Sequence, residues 1–250
     1  MAHRPALRFE IAQQQAQQRR LARAIEANDA HLVTTFDRGS QTADDGCATV
    51  AKGHICGLDY QIEGLEHIPR QGFIVMSKHS STWETIALQK FFAPMVWVVK
   101  HELIHIPFFG WGLWAMDAIA INRGTGRQAI NQLVDEGSER MQQGRIIMLF
   151  PEGTRVLPGQ YKPFKLGGAI LAHKSGYSIL PIAHNAGEFW PRHSLIKWPG
   201  TIRVVIGKPI DPADLKPEQI IQQVESWVLD TCRQISDPQQ LQRIGVQPQD

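Results

Sequence analysis

The chain has 250 residues, of which 43% are hydrophobic and 20% charged, with 26 lysines and arginines set against 24 acids. These values fit one large globular α/β domain with a substantial core and exclude collagen-like or wholly disordered chains. A formal net charge of +2 gives no global field for nucleic acid, so any preference for anionic surfaces has to come from local patches.

The three cysteines, Cys47, Cys56 and Cys232, are odd in number and lack C-x-x-C spacing, which fits a reducing compartment and inert thiols. The longest uncharged apolar run lies between Glu102 and Asp117; its fourteen residues contain His105, Pro107 and two glycines and are too few to span a bilayer. No apolar stretch follows the N-terminal arginines, so no cleaved signal peptide is expected.

Residues 1–52 form an atypical polar segment. "AQQQAQQRRLARAIEANDA" could be a helix, but its apolar residues are mostly alanine, and "DRGSQTADDGCATVAKG" reads as loop. This segment is expected either to be poorly ordered or to lie outside the native reading frame. From residue 57 the texture becomes that of an α/β domain, taken as residues 53–235, with residues 236–250 as a C-terminal tail.

Strands are predicted, in order, at "LDYQIEG", "GFIVMSK", "MVWVVK", "AIAIN", "RIIMLF", "SILPIA" and "TIRVVIGKPI", each short, mostly rich in Val and Ile, and bounded by turn residues. Helices are predicted at "STWETIALQKFF", "GTGRQAINQLVDEGSERMQQ", "KLGGAILAHKSG" and "KPEQIIQQVESWVLDTCRQI", the last with Pro217 in its first turn. Chemistry in such a sheet gathers where strands end.

His101-Glu102-Leu103-Ile104-His105 spells H-E-x-x-H, which on a helix places two imidazoles on one face to hold zinc. The preceding β-type run ends at Lys100, and Pro107 disfavours helix at Ile106, leaving barely one turn. Zinc hydrolysis is therefore the least favoured reading, and no metal site is expected.

A better-placed pair is in "SKHSSTWET", where His79 follows a strand and Glu84 opens the next helix. A carboxylate bonded to one ring nitrogen fixes the tautomer and leaves the other nitrogen to take a proton from a hydroxyl. "LFPEGTR" combines a turn at Pro151 and Gly153 with Glu152, Thr154 and Arg155, a candidate anion site. Arg123 stands before a helix opening near Gly124, another anion-favouring position. Each feature alone also has a structural explanation, as a satisfied histidine or an ion-paired surface turn. Together with "SILPIAHNAG" they would line one crevice.

At this point the sequence resembles the 1-acylglycerol-3-phosphate acyltransferases of the glycerolipid acyltransferase superfamily. Four ordered blocks between residues 57 and about 210 carry the resemblance. They are His79 to Glu84, where the family's His-x4-Asp has aspartate; "KHELIHIPFFGWG" through "AIAINR"; "FPEGTR" with "YKPFKLGGAILA"; and "ILPIAHNAG". The resemblance implies a central mixed sheet flanked by helices, and acyl transfer from an acyl carrier protein or coenzyme A thioester to the sn-2 hydroxyl of lysophosphatidic acid. It implies His79 as base, Glu84 as its orienting acid, no acyl-enzyme and no cofactor beyond the acyl co-substrate. Substrate phosphate binding would fall to Lys100, Arg123, Glu152, Gly153, Thr154 and Arg155.

A lysolipid substrate implies a crevice that opens at a membrane surface, expected on the cytoplasmic face of the inner membrane in a peripheral or monotopic protein. "IPFFGWGLWAM" offers Trp111 and Trp114, and "EFWPRHSLIKWPGTIR" offers Trp190 and Trp198 among basic residues. The alternative is that these rings belong to the core. Other functional readings are the same fold acting on glycerol 3-phosphate, a lyso-ornithine lipid or another lysophospholipid, and a catalytically silent membrane-binding module.

Overall fold

The computed structural model describes residues 51–246; the expectations for the polar N-terminal segment up to residue 50, including Cys47, and for residues 247–250 lie outside the described residues. The described strands are β1 (Ala51–Ile55), β2 (Leu58–Glu63), β3 (Ile74–Ser77), β4 (Met95–Lys100), β5 (Ile119–Ile121), β6 (Ile146–Leu149), β7 (Ile179–His184) and β8 (Thr201–Ile206). The helices are α1 (Trp83–Phe91), α2 (Phe109–Ala115), α3 (Arg127–Gln142), α4 (Gly167–Ser175), α5 (Ala186–Phe189), α6 (Pro217–Ile235) and α7 (Pro238–Arg243).

All the described strands join one mixed sheet in the order β1-β2-β8-β7-β3-β6-β4-β5. The β1–β2 and β7–β8 pairs are antiparallel, and the others are parallel. The fold is α/β, with a central mixed sheet flanked by helices.

The burial pattern explains which segments became which strands. Every residue of β3 and β7 is buried, because helices cover both faces there and a covered strand reads as a continuous apolar run. On one face Ile74, Met76, Val96, Ile147 and Leu149 pack against Leu133 of α3, Leu171 of α4 and Ile220, Val224 and Val228 of α6. On the other, Val75, Trp97, Met148 and Leu180 pack with Trp83, Ala87 and Leu88 of α1 and with Phe92. In α6 the fourfold spacing of Ile220, Val224 and Val228 makes one apolar stripe, each side chain contributing roughly 1.5–3 kcal/mol when fully buried.

Three helices and one strand have no clear sequence signal. The strand β1, "AKGHI", is held by its antiparallel pairing to β2 rather than by an apolar pattern. Helices α5 and α7 are too short to show a period. In α2 only Gly110 and Leu113 are buried, while its aromatic rings face outward. A Cβ at Gly110 would strike the Ile104 carbonyl, so glycine is what lets α2 close on the preceding turn.

That turn is the H-E-x-x-H stretch, a five-residue 3₁₀ helix from His101 to His105 that ends at an extended Ile106. No α-helix runs through both histidines. Among the described residues no helix is long and apolar enough to cross a membrane.

Strands β7, β3, β6, β4 and β5 run parallel, so their C-terminal ends share one edge of the sheet. From there the chain delivers His184, His79, the Phe150–Arg155 turn, Lys100 and Arg123 in a row.

Candidate active site

His79 leaves β3 one residue after Lys78, and Glu84 sits in the first turn of α1, so the short link between them folds back on itself. His79 Nδ1 lies 2.9 Å from Glu84 Oε1. The same oxygen accepts the N–H groups of Ser80 at 2.9 Å and Ser81 at 2.8 Å. Glu84 is fully buried, whereas the His79 side chain keeps 15% of its surface exposed. Burial opposes ionisation of Glu84; the imidazole of His184 and the hydrogen bonds from His79 and Ser81 outweigh it, and its carboxyl is held below the ordinary carboxylate value.

An ionised Glu84 accepts only, so His79 Nδ1 carries the proton and Nε2 presents a lone pair. Phe150, the residue after β6, stacks on the imidazole with centroids 3.7 Å apart and planes 7° from parallel. The ring is thus fixed by a hydrogen bond at its edge and a face-to-face contact on its plane.

His184 ends β7 beside this pair but serves differently. Its Nε2 lies 2.8 Å from the Lys78 carbonyl, and its Nδ1 accepts the Ala186 N–H at 3.3 Å. Burial pushes its pKa down, and with Nδ1 accepting a backbone N–H both ring nitrogens are committed to the backbone.

Glu152 departs from the sequence expectation. It is fully buried, with Oε1 2.7 Å from Lys78 Nζ and Oε2 3.1 Å from the His79 N–H. Burial raises its pKa against the opposing pull of Lys78. A carboxylate enclosed in this way, paired to a buried lysine, holds the His79 backbone in place and makes no surface for a phosphate. The Val156 N–H bonds the His79 carbonyl at 2.8 Å, tying the same turn to the base from its other end.

The remaining predicted residues spread along the rest of the edge. Arg155 Nη1 donates to Thr82 Oγ1 at 2.8 Å, and its carbonyl accepts from Arg192 Nη1 at 2.7 Å. Thr154 is exposed. Lys100 is exposed at the end of β4 and pairs with Glu102 at 2.8 Å. Arg123 follows β5 and bonds the Gly153 carbonyl. Gly153 itself has a φ of 72°, a left-handed turn that suits glycine.

A cleft of about 250 Å³ opens between these elements, lined by Val98, Ile121, Leu133, Leu149 and Phe150, with Arg123 and Lys165 among its polar residues. Phe150 belongs both to this cleft and to the His79 stack, so the cleft abuts the base. A larger cavity of about 590 Å³, lined by Ser80, Glu188, Leu229 and Cys232 among others, holds none of the sequence-predicted site residues. Burial pushes the Glu188 carboxyl up to about 7 and the Cys232 thiol up to about 11, so Cys232 is no ready nucleophile.

The aromatic residues divide. Trp111 is 64% and Trp114 68% exposed, and Phe108 beside them is 78% exposed. Trp190 and Trp198 are half-buried: Trp190 packs on the core, donates from Nε1 to the Ser194 carbonyl at 2.9 Å, and lies under Lys197 at 4.3 Å. In that second stretch the exposed apolar side chains are Leu195 and Ile196.

Lys78, Phe150, Thr82 and Lys165 were not singled out from sequence. Lys78 had a signal: it directly follows a strand buried on both faces, where a lysine needs a carboxylate partner. The others meet their partners only through the tertiary fold.

The geometry sits within a broad likeness to known proteins. Residues 59–185 match the family model described as Acyltransferase. The chain is 44% identical over 189 residues, 74% of either sequence, to a 1-acyl-sn-glycerol-3-phosphate acyltransferase of Pseudomonas aeruginosa. It is 35% identical over 139 residues, 54% of this chain and 55% of the other, to the enzyme of that name from Borreliella burgdorferi. The crystal structure of a 1-acyl-sn-glycerophosphate acyltransferase from Thermotoga maritima superposes with a TM-score of 0.60 at 26% identity, covering 70% of each chain. With its site on the shared sheet edge, the chain belongs to the acyltransferase family, among the 1-acyl-sn-glycerol-3-phosphate acyltransferases.

Proposed function

We propose that this protein transfers a fatty acyl group from an acyl-ACP or acyl-CoA thioester to the sn-2 hydroxyl of lysophosphatidic acid, forming phosphatidic acid. The observation that carries the mechanism is the 2.9 Å contact between His79 Nδ1 and a buried, ionised Glu84. His79 Nε2 takes the hydroxyl proton as the oxygen bonds to the thioester carbonyl carbon. The C–S bond then breaks, and the proton on His79 passes to the departing thiolate. Glu84 stabilises the transient imidazolium, and general-base assistance of this kind contributes on the order of 10²–10⁴-fold. No protein nucleophile enters the sequence of steps, and no cofactor is needed.

The acceptor phosphate is bound on the cation side of the crevice, by Arg123 with Lys100, Thr154 and Arg155 at its rim. Holding it there orients the hydroxyl towards His79. Glu152 acts as a positioning residue for His79.

The lipid reaches the crevice from a membrane surface at the cytoplasmic face of the inner membrane, on which the protein rests peripherally. Two exposed tips support this: Phe108, Trp111 and Trp114 near the end of β4, and Leu195 and Ile196 with Lys197 in the loop after α5. Apolar tips flanked by cations suit a bilayer interface carrying anionic lipid.

The test is a matrix of purified protein with acyl-CoA and acyl-ACP against lysophosphatidic acid, glycerol 3-phosphate, a lyso-ornithine lipid and lysophosphatidylcholine. Fastest turnover is expected on lysophosphatidic acid. Turnover confined to another acceptor would replace the proposed substrate, and absence of turnover on all of them would favour a silent binding module.

A further inference from the structure

Lys165 lies outside the groups assigned above. It precedes α4 by two residues, and its N–H donates to the Pro151 carbonyl at 2.9 Å, which ties it to the Phe150–Arg155 turn. Its ammonium and the Arg123 guanidinium converge on Gly153: Arg123 Nη1 lies 3.0 Å, and Lys165 Nζ 3.2 Å, from where a Cβ on that glycine would sit. The missing side chain is what leaves room for both.

Two cations so placed repel one another, and the nearby Glu102 carboxylate offsets this at Arg123 only by charge attraction, without an ion-pair contact. Neither forms an ion pair with a carboxylate among the described residues. Arg123 has a hydrogen bond to the Gly153 carbonyl instead. Partial burial, then Arg123 and Lys162, lower the Lys165 pKa. The first turn of α4 adds to the positive field, since it contains no acid and has no side-chain cap. An anion that touches both cations removes the repulsion and gains two charge-assisted hydrogen bonds.

The surroundings narrow the chemistry of that anion. Lys165 and Arg123 line the apolar cleft whose wall includes Phe150, the ring stacked on His79. The ligand therefore joins a compact anion to an apolar or neutral body that reaches the base. A phosphate monoester can carry two charges, whereas a phosphate diester carries one and presents a bulky substituent to one of the cations.

We infer that Lys165 and Arg123 together clamp a phosphate monoester over Gly153, and that Lys165 is the residue that makes the enzyme prefer a lysophosphatidic acid to a lysophospholipid whose phosphate is a diester. This rests on the acceptor reading given above. Lys165 acts on binding and leaves the proton relay to His79 and Glu84.

The experiment compares wild type, Lys165→Met, Lys165→Gln and Lys165→Arg, using lysophosphatidic acid and its phosphate methyl ester as acceptors, or as competitive inhibitors where they are not turned over. Thermal melting checks that each variant is folded, which the exposed position of Lys165 favours. For the Met and Gln variants, KM for the monoester should rise about tenfold or more with kcat little changed, the diester constant should barely move, and Arg should restore much of the preference. An unchanged monoester-to-diester ratio in both neutral variants would overturn the role of Lys165 while leaving the acceptor reading intact. Failure of wild type to acylate lysophosphatidic acid would instead remove the reading, and the inference with it.

Discussion

The two ends of the crevice are built differently. At the β7–β3–β6 end, Glu84, Glu152, Lys78 and His184 are buried and held by short hydrogen bonds, and only the edge of His79 meets solvent. On the cation side, Lys100 at the end of β4 and Lys165 before α4 are exposed, Arg123 after β5 is half-buried, and neither Arg123 nor Lys165 forms an ion pair with a carboxylate among the described residues. The first arrangement would fix the proposed proton acceptor in place before substrate arrives; the second would keep cations available for the proposed anion. Changes at the first end should therefore cost rate and stability, and changes at the second should cost binding.

The largest effect is expected at Glu84. Glu84→Ala removes the acceptor that sets the His79 tautomer, and kcat should fall on the order of 10²-fold or more. Glu84→Asp keeps the charge on a shorter arm and should be less damaging. Equal, near-wild-type rates in all three proteins would take Glu84 out of the mechanism.

Next comes the buried ion pair. Lys78→Met leaves Glu152 enclosed without its cation and should cost about 3–5 kcal/mol in urea unfolding, with part recovered in Lys78→Met/Glu152→Gln. Full stability in the single variant would contradict the tight construction of this end.

A smaller effect concerns pH. Glu188, pushed up to about 7, accepts from Ser236 Oγ at 2.6 Å and the Asp237 N–H at 2.8 Å. Its folded-state pKa exceeds the unfolded one, so the folded protein binds more protons between about 4.5 and 7 and this group's contribution falls as pH rises through that window. The melting temperature of Glu188→Gln relative to wild type should accordingly improve from pH 5 to pH 8; a flat difference would argue against the shifted carboxyl.

The smallest stability effect is expected at the exposed tips. Trp111→Ala with Trp114→Ala should change unfolding free energy by about 0.5 kcal/mol or less, yet weaken sedimentation with anionic vesicles. A large stability loss with unchanged vesicle binding would return these rings to a packing role.

Local signals were legible in the sequence, and long-range pairings were not. Strands such as "GFIVMSK" and "SILPIA" are readable because helices cover both faces of the sheet centre, which demands short, nearly continuous apolar runs. The nearness of His79 to Glu84 could be read because only five positions separate them. By contrast, Lys78 and Glu152 are 74 positions apart, and Arg155 and Thr82 are 73 apart, so nothing local marks these contacts. The family resemblance implies that Glu152 serves the substrate phosphate, but its burial is a tertiary property. Likewise the loop after α5 turns Trp190 inward under Lys197 and puts Leu195 at its tip, 98% exposed, the reverse of what aromatic content alone suggests.

The most direct test of the central claim is steady-state kinetics of His79→Ala on lysophosphatidic acid, with folding verified by thermal melting. If His79 is the general base at the rigid end of the crevice, kcat should fall on the order of 10²–10⁴-fold while KM for lysophosphatidic acid stays near its wild-type value. A rise in KM with kcat preserved would contradict the account, because it would make His79 a binding group and leave the proton transfer to another residue.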